Sequence, residues 1–526
     1  MKRQIISLVA GIVLAAGMSV PTAAFAVPND AEPLNPYGND SNSTQYYYYD
    51  ENGNLIEDDW IEEQEPSVLP DISWFDFQRP LKNYDISTEA QLLGLASLVN
   101  ENQIMWKPNR FENFEGVTFT LKNDIQLTQP WTPIGSDEYR TFKGIFDGNQ
   151  HTISNMNVNV TGNNAGLFGY LDGTVKNLIV FGSVRATGGN CGSIAGYLGE
   201  NGKIYRCTTK VMVSAKAKTG GVVGYNHLGT IRRCVNKGNV LGTIKVGGVV
   251  GENWGNVICC GNRGDVTSTV RGITTFGTGG VAGRSVSVNS RIDRCFNTGS
   301  VVSATEGTGG IVGYTNTKGS VILNSYNTGS ISVKKPSSAQ TLDLNAAKGY
   351  AGGIAGIVGV KGVEIKNCYT CGNILNSQVI GGVIGKYENA SKLKDDPFII
   401  NNYFTSQDSK FGIGMDAAGK SRNLSKGTKV TTKGALITGA SSLGPFYKID
   451  SNNAYGNAGL PVLSWQKPLS ENESEYLGCI PVETQKALSE YLIESSKKPQ
   501  KGDTVMMFFS HYEFTSNAIG DYKYAQ

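Results

Sequence analysis

One short phrase recurs eight times and limits what this chain can fold into. It reads Gly166-Leu-Phe-Gly169-Tyr170, Gly192-Ser-Ile-Ala-Gly196-Tyr197, Gly220-Gly-Val-Val-Gly224-Tyr225, Gly247-Gly-Val-Val-Gly251, Gly279-Gly-Val-Ala-Gly283, Gly309-Gly-Ile-Val-Gly313-Tyr314, Gly352-Gly-Ile-Ala-Gly356 and Gly381-Gly-Val-Ile-Gly385. Between closing glycines the steps are 27, 28, 27, 32, 30, 43 and 29 residues. A unit of that length cannot bury its own apolar face and must lie against the next copy, so the period predicts a stacked repeat. A length of 526 residues exceeds what one compact core holds, but a solenoid grows by adding coils.

Each repeat has an internal grammar anchored on a cysteine column: Cys207, Cys234, Cys260, Cys295, Ser325 and Cys368. Three residues earlier stand Ile204, Ile231, Val257, Ile292, Ile322 and Ile365. Two residues later come Asn236, Asn262, Asn297 and Asn327, with Thr209 and Thr370 in the outer copies. Glycine follows at 238, 264, 299, 329 and 372, then Val213, Val240, Val266, Val301, Ile331 or Ile374. Short β-branched runs broken by Asn-x-Gly turns predict one coil of a parallel β-solenoid per repeat of about 28 residues. Identical residues then stack into ladders at about 4.8 Å. The fold class expected is all-β, a parallel β-solenoid with an N-terminal capping helix and a small α/β C-terminal tail.

The flanks divide the chain further. Residues 1–26 resemble a signal peptide: Lys2 and Arg3, the apolar stretch Ile5 to Gly17, and Ala24-Phe25-Ala26 as a cleavage site. The apolar stretch is too short to predict a membrane span. Residues 27–83 form an acidic leader, predicted largely disordered because so polar a segment cannot offset its chain entropy. Val27 to Glu89 holds fifteen acidic and two basic residues, net −13, whereas Thr161 to Ala390 holds 23 basic and nine acidic, net +14. That asymmetry points to an anionic partner for the body, or to a leader that folds back on it. Thr88 and Gln91 stand in capping-box places, and Leu92, Leu95, Ala96 and Val99 share one helical face. The solenoid is expected over 84–465, with a polar insertion at Val333 to Lys348, and a tail over 466–526 holding a helix from Pro481 and a strand at Val505 to Phe509.

The repeat Gly-Gly-x-Val-Gly-Tyr, followed by Thr-Ile-x-x-Cys and Asn-x-Gly-x-Val, resembles the GLUG motif of bacterial surface proteins. That motif also occurs in the non-catalytic part of some immunoglobulin A1 metallopeptidases. Trp131-Thr-Pro-Ile-Gly and Phe142-Lys-Gly-Ile-Phe-Asp-Gly-Asn are similar to the segment that leads into such arrays, and Leu460-Pro-Val-Leu-Ser-Trp465 to the one that closes them. The resemblance implies a β-helix-like, surface-exposed array and no reaction.

Chemistry is sparse. Gly414-Met-Asp-Ala-Ala-Gly419-Lys420-Ser421 satisfies the phosphate-loop pattern, but its flanks are polar where a buried strand and a helix are needed. The three histidines, His151, His227 and His511, form no HExxH pair, and Cys368 with Cys371 lacks the second pair of a zinc site. Cysteines sharing one column read as buried thiols rather than disulfides. No cofactor or metal is expected, and no nucleic-acid partner. Convergent carboxylates, which a β-helix polysaccharide lyase or hydrolase would need, are absent from any shared column.

Two columns stand out. Arg206, Arg233 and Arg294 directly precede the core cysteine, with Lys203, Arg232 and Arg291 nearby; stacked like charges suit an anionic polymer. Tyr170, Tyr197, Tyr225 and Tyr314 follow the closing glycine, and aromatic rows stack sugar rings. The expected function is a secreted or cell-surface, adhesin-like scaffold for an extracellular glycan, cell-wall polymer or host surface protein. The alternatives are a carbohydrate-active β-helix enzyme and a passive stalk.

Overall fold

The computed structural model describes residues 68–101, 112–269, 277–304, 307–333, 349–388, 396–405, 409–450 and 452–466. It adds the backbone of short strands at Tyr48–Tyr49, Leu55–Ile56, Thr504–Met507, Ser510–Phe514 and Tyr522–Tyr524. The signal-like segment, most of the acidic leader, the insertion beyond Val333, the helix from Pro481 and Cys479 lie outside the described residues. The chain divides into two units, Met1–Ser67 and Val68–Gln526, and the second carries the repeats.

The second unit is a parallel β-solenoid, as the repeat predicts. Three stacks of strands run its length. Sheet I, with eleven strands, takes one segment per coil, such as Thr230–Arg232 above Asn256–Ile258. Sheet II, with nine, takes the strand that closes each glycine phrase, such as Val223–Asn226 above Val250–Asn253. Sheet III takes the residues between, as one bent strand at Thr208–Gly220 or as three pieces at Phe296–Asn297, Val301–Ser303 and Gly307–Gly309. Ile204, Ile231, Val257, Ile292, Ile322 and Ile365 pair in register down sheet I and are buried. Each such side chain contributes roughly 1.5–3 kcal/mol.

The cysteines are free and buried, stacked in successive coils from Cys207 through Cys234 and Cys260 to Cys295. Their recurrence has a polar reason as well as a steric one. The thiol of Cys234 points at the carbonyls of Arg232 at 3.4 Å and Ile204 at 3.6 Å, and Cys260 and Cys295 repeat the pattern one and two coils on. Ser325 donates to the Leu323 carbonyl at 2.6 Å in the same way. The column therefore needs a small group with one weak donor, at a corner whose carbonyls take a second bond: the Arg232 carbonyl also accepts from the Arg206 amide at 3.0 Å and the Leu323 carbonyl from the Arg294 amide at 3.0 Å.

Beside it runs a buried asparagine ladder. Nδ2 of Asn236, Asn262 and Asn297 donates to Oδ1 of the next asparagine, in Asn262, Asn297 and Asn327, at 2.9, 2.8 and 2.8 Å. Each also donates to the glycine carbonyl two residues on, at 2.7, 2.7 and 2.8 Å. Thr209 and Asn327–Thr370 close the ends. The glycine phrase makes room for this: a Cβ at Gly221 would sit 2.4 Å from the Asn236 amide carbon. The closing glycine answers a different need, since a Cβ at Gly251 would lie 2.3 Å from the Lys218 carbonyl carbon, where sheet III crosses sheet II.

The N-terminal end of the array is capped. Helix α1, Glu89–Asn100, buries Leu92, Leu95, Ala96, Leu98 and Val99 against the first coils. Thr88 Oγ1 caps the Gln91 amide at 3.3 Å, and the Gln91 side chain accepts from the Ser87 amide at 2.8 Å, one residue earlier than a regular capping box. The packed body begins at about Val68 rather than at Tyr84. Trp74 and Phe75 join Tyr84, Phe114 and Phe119 in edge-to-face and stacked contacts 4.9 to 6.1 Å apart, which anchors residues counted with the leader.

The closing segment does not end the stack; it folds back along one flank. After helix α2, Lys433–Thr438, the hairpin of Tyr447–Lys448 with Val462–Leu463 lies over earlier coils. Tyr326 Oη donates to Gln466 at 3.0 Å, Tyr447 Oη to the Asn367 carbonyl at 2.9 Å, and Trp465 Nε1 to the Arg294 carbonyl at 3.0 Å. In the tail, the backbone strand Thr504–Met507 pairs antiparallel with Ser510–Phe514, which pairs with Tyr522–Tyr524.

Candidate functional site

The arginine column occupies a backbone corner. Asn177, Arg206, Arg233, Cys259, Arg294, Asn324, Asn367 and Asn401 fill one position in successive coils, with φ between 47° and 55°. That left-handed conformation suits asparagine and disfavours most side chains. Arg206 and Arg233 are neighbours, and Cys259 separates them from Arg294. Arg233 is 6% exposed and Arg294 9%, so the row is no continuous basic face.

Arg294 is paired where it stands. It donates to the buried Asp293 at 2.7 Å, Arg291 reaches the same carboxylate at 2.8 Å, and Asn324 donates to its other oxygen at 2.9 Å. The Phe446 ring covers the guanidinium at 4.8 Å. Lys203 and Arg291 share a sheet I column but stand three coils apart, with Thr230 and Asn256 between them. Arg232 is half-buried on the adjoining column.

The covered flank holds a ladder that sequence reading missed. Phe296, Tyr326, Tyr369 and Tyr403 follow the cysteine column in successive coils. Phe296 stacks on Tyr326 at 5.6 Å and Tyr326 on Tyr369 at 5.0 Å, with interplanar angles of 14° and 7°. Trp465 closes over Phe296 at 5.8 Å, and Tyr369 Oη bonds the Pro461 carbonyl. The aromatic residues directly after Cys295, Ser325 and Cys368 were the available signal.

The tyrosine column lies on the other flank, in sheet II, with no such cover among the described residues. Tyr170, Tyr197 and Tyr225 pair in register, half-buried, with ring centroids 4.8 and 5.3 Å apart. Glu252 and Arg284 take the next two places, and Tyr314 follows. Tyr314 belongs elsewhere: it is buried with Tyr350 and Ile357.

Two further rings widen the open platform. His227 lies 5.7 Å from Tyr225, and its Nδ1 is 2.8 Å from Tyr197 Oη; Trp254 lies 5.7 Å from Tyr225 and 5.6 Å from His227. Both stand two residues after the tyrosine column in consecutive repeats, an offset readable in the sequence. Burial raises the phenols of Tyr197 and Tyr225, aided by Tyr170 and by Glu252 respectively, so both stay neutral donors.

The phosphate-loop pattern holds its own anion. Asp416 Oδ1 accepts from the amides of Ala418 at 2.8 Å and Lys420 at 2.9 Å, its other oxygen pairs with Arg422, and Ser421 Oγ donates back to the Gly414 carbonyl at 2.6 Å. Amides that would meet a phosphate already have an acceptor. No group of His, Cys, Asp and Glu among the described residues is arranged to hold a metal ion, and no described helix is long and apolar enough to cross a membrane.

No family model matches the chain. A stretch of 97 residues, 18% of the chain, is 36% identical to halomucin of Haloquadratum walsbyi, and spans about 1% of that protein's length. A solved Bacteroides ovatus protein, provisionally named an immunoglobulin A1 protease, is similar at 20% identity and a TM-score of 0.40, over 73% of this chain and 93% of that one.

Proposed function

We propose that this chain is an exported repeat scaffold that binds a glycan along the open flank of its solenoid. The observation that carries the reading is the ladder Tyr170, Tyr197 and Tyr225, half-buried and widened by His227 and Trp254. Rings spaced at the coil repeat offer successive faces to successive sugars, and phenol hydroxyls at their edge offer hydrogen bonds. The signal-like segment at 1–26 and the GLUG-like grammar support an extracellular setting.

Calorimetric titration of the full chain with soluble polysaccharides tests this. Tyr197→Ala and Tyr225→Ala should each weaken binding about tenfold, the value of one well-placed ring contact. Unchanged affinity in both, with melting temperatures held, would remove the ladder from the site.

A further inference from the structure

The tyrosine ladder runs into a charged cluster. Glu252 occupies the place after Tyr225, with its side chain 3% exposed. Lys245 Nζ lies 2.8 Å from Glu252 Oε2, Lys218 Nζ 3.5 Å from the same oxygen, and Arg284 Nη1 3.1 Å from Oε1. Three cations surround the carboxylate of Glu252.

The cations differ in reach. Lys245 is the most buried of the three, at 13% side-chain exposure against 23% for Arg284 and 28% for Lys218. Burial opposes the Glu252 charge, but the bond from Lys245 and the charges of Lys218 and Arg284 outweigh it and hold its carboxyl below the usual range. Glu252 is thus a fixed counter-ion and no proton donor. Lys218 and Arg284 are left on the outer side, next to rings: Lys218 Nζ stands 3.9 Å from the Tyr225 centroid, and Arg284 5.7 Å from that of Tyr314. Along the column Arg284 is two coils past Tyr225, about 10 Å, near the length of a disaccharide.

We infer that Lys218 and Arg284 form an anion subsite at the end of the tyrosine ladder, so that the ligand is an acidic polysaccharide. This rests on the glycan reading above and deepens it: sugar rings stack on Tyr197 and Tyr225, while a carboxylate or sulfate one or two sugars along meets the two cations. A charge-assisted bond beside a ring, in a partly desolvated place, selects acidic over neutral sugars.

The column supplies its own conservative variant. Asn164 and Asn190 fill the corner that Lys218 fills two and one coils later, all with positive φ of 67°, 54° and 47°. Lys218→Asn therefore removes a charge and keeps the backbone, and Lys245 remains to hold Glu252. The experiment titrates the full chain with polygalacturonate, dextran sulfate, neutral dextran and inorganic polyphosphate at low salt, using the parent, Lys218→Asn with Arg284→Gln, and Tyr197→Ala.

The double variant should lose about tenfold or more for both acidic glycans, from two charge-assisted contacts, and change dextran binding less than twofold. The parent should prefer acidic glycans, and polyphosphate should bind without regard to Tyr197. A preference for only one acidic glycan identifies the anion as carboxylate or sulfate and supports the subsite. If acidic glycans bind and Tyr197→Ala weakens them while the double variant does not, the anion subsite is wrong and the ladder stands. If Tyr197→Ala has no effect on any glycan, or none binds, both fall. Lys218→Asn alone, melting as the parent does, guards against a loss caused by unfolding.

Discussion

The two flanks of the solenoid use one design to opposite ends. On one, an outward aromatic residue precedes an inward asparagine, as in Phe296-Asn297 and Tyr326-Asn327; on the other, Tyr225-Asn226 has the same order. The first flank is sealed by the segment ending at Trp465, and its rings lie stacked at 7° to 14°. The second has no described segment over it, and its rings meet at 32° and 83°. A residue ladder says where side chains line up. Whether they serve the core or a ligand depends on what lies over them, and that cover comes from residues far along the chain, 88 positions for Tyr369 and Asn457 and 171 for Arg294 and Trp465.

The largest effect should come from stripping the cover. Trp465 is 5% exposed and touches both Phe296 and the Arg294 carbonyl. Trp465→Ala should cost about 3–5 kcal/mol in urea unfolding and bare the Phe296–Tyr369 ladder to an environment-sensitive dye. An effect under 1 kcal/mol would mean that the segment merely rests on the flank.

The interior asparagines sharpen the contrast. Asn262 sits in a four-membered ladder, whereas Asn226, among the described residues, bonds Asn253 and the Gly229 carbonyl alone, at 2.8 and 3.2 Å. Asn262→Leu should destabilise by about 3 kcal/mol, leaving partners unpaired on both sides, and Asn226→Leu by about 1–2 kcal/mol. Equal losses would show that ladder length does not matter.

The thiols give a pH signature. Burial pushes Cys191, Cys368 and Cys371 up to about 12, from a usual 9.0. The folded state holds these acids neutral while the unfolded chain releases protons above pH 9. Their stabilisation is therefore complete below pH 9 and is lost as pH rises toward 12, by about 1.4 kcal/mol per thiol per unit. Cys368→Ser, copying Ser325, should flatten the fall in urea midpoint between pH 9 and pH 10.5; an identical slope would put the effect elsewhere.

The smallest effect concerns the arginine corner. Arg206→Asn places at φ 52° the residue found there in four other coils, and should stabilise by roughly 1 kcal/mol. A destabilised variant would mean that Arg206 makes contacts worth more than its backbone strain.

These outcomes bear on what the sequence could say. The solenoid was legible because Ile204, Ile231 and Val257 repeat at one offset, and the period alone demands stacking. The cysteine column was legible because Ser325 replaces a thiol with a small polar group. The arginine column misled, because a shared offset reveals alignment and not exposure: Asp293 and Phe446 pair with and cover Arg294 from a neighbouring position and from 152 residues downstream. Tyr170, Tyr197 and Tyr225 stand in register, and Tyr314 is set apart from them, since Glu252 and Arg284 interrupt the column and Tyr350 with Ile357 bury its end. His227 and Trp254 escaped because each occurs once in a column that other repeats fill with Asp172, Gly199 and Val286.

The most direct test sets the two rows against each other on one ligand. Polygalacturonate is titrated into the full chain carrying either Tyr197→Ala with Tyr225→Ala, or Arg206→Gln with Arg233→Gln and Arg294→Gln, with thermal melts confirming that each folds. The tyrosine pair should lose about a hundredfold in affinity, two ring contacts together, and the arginine triple less than threefold. Loss in the arginine triple with the tyrosine pair unaffected would contradict the account and place the binding face on the flank that Trp465 seals.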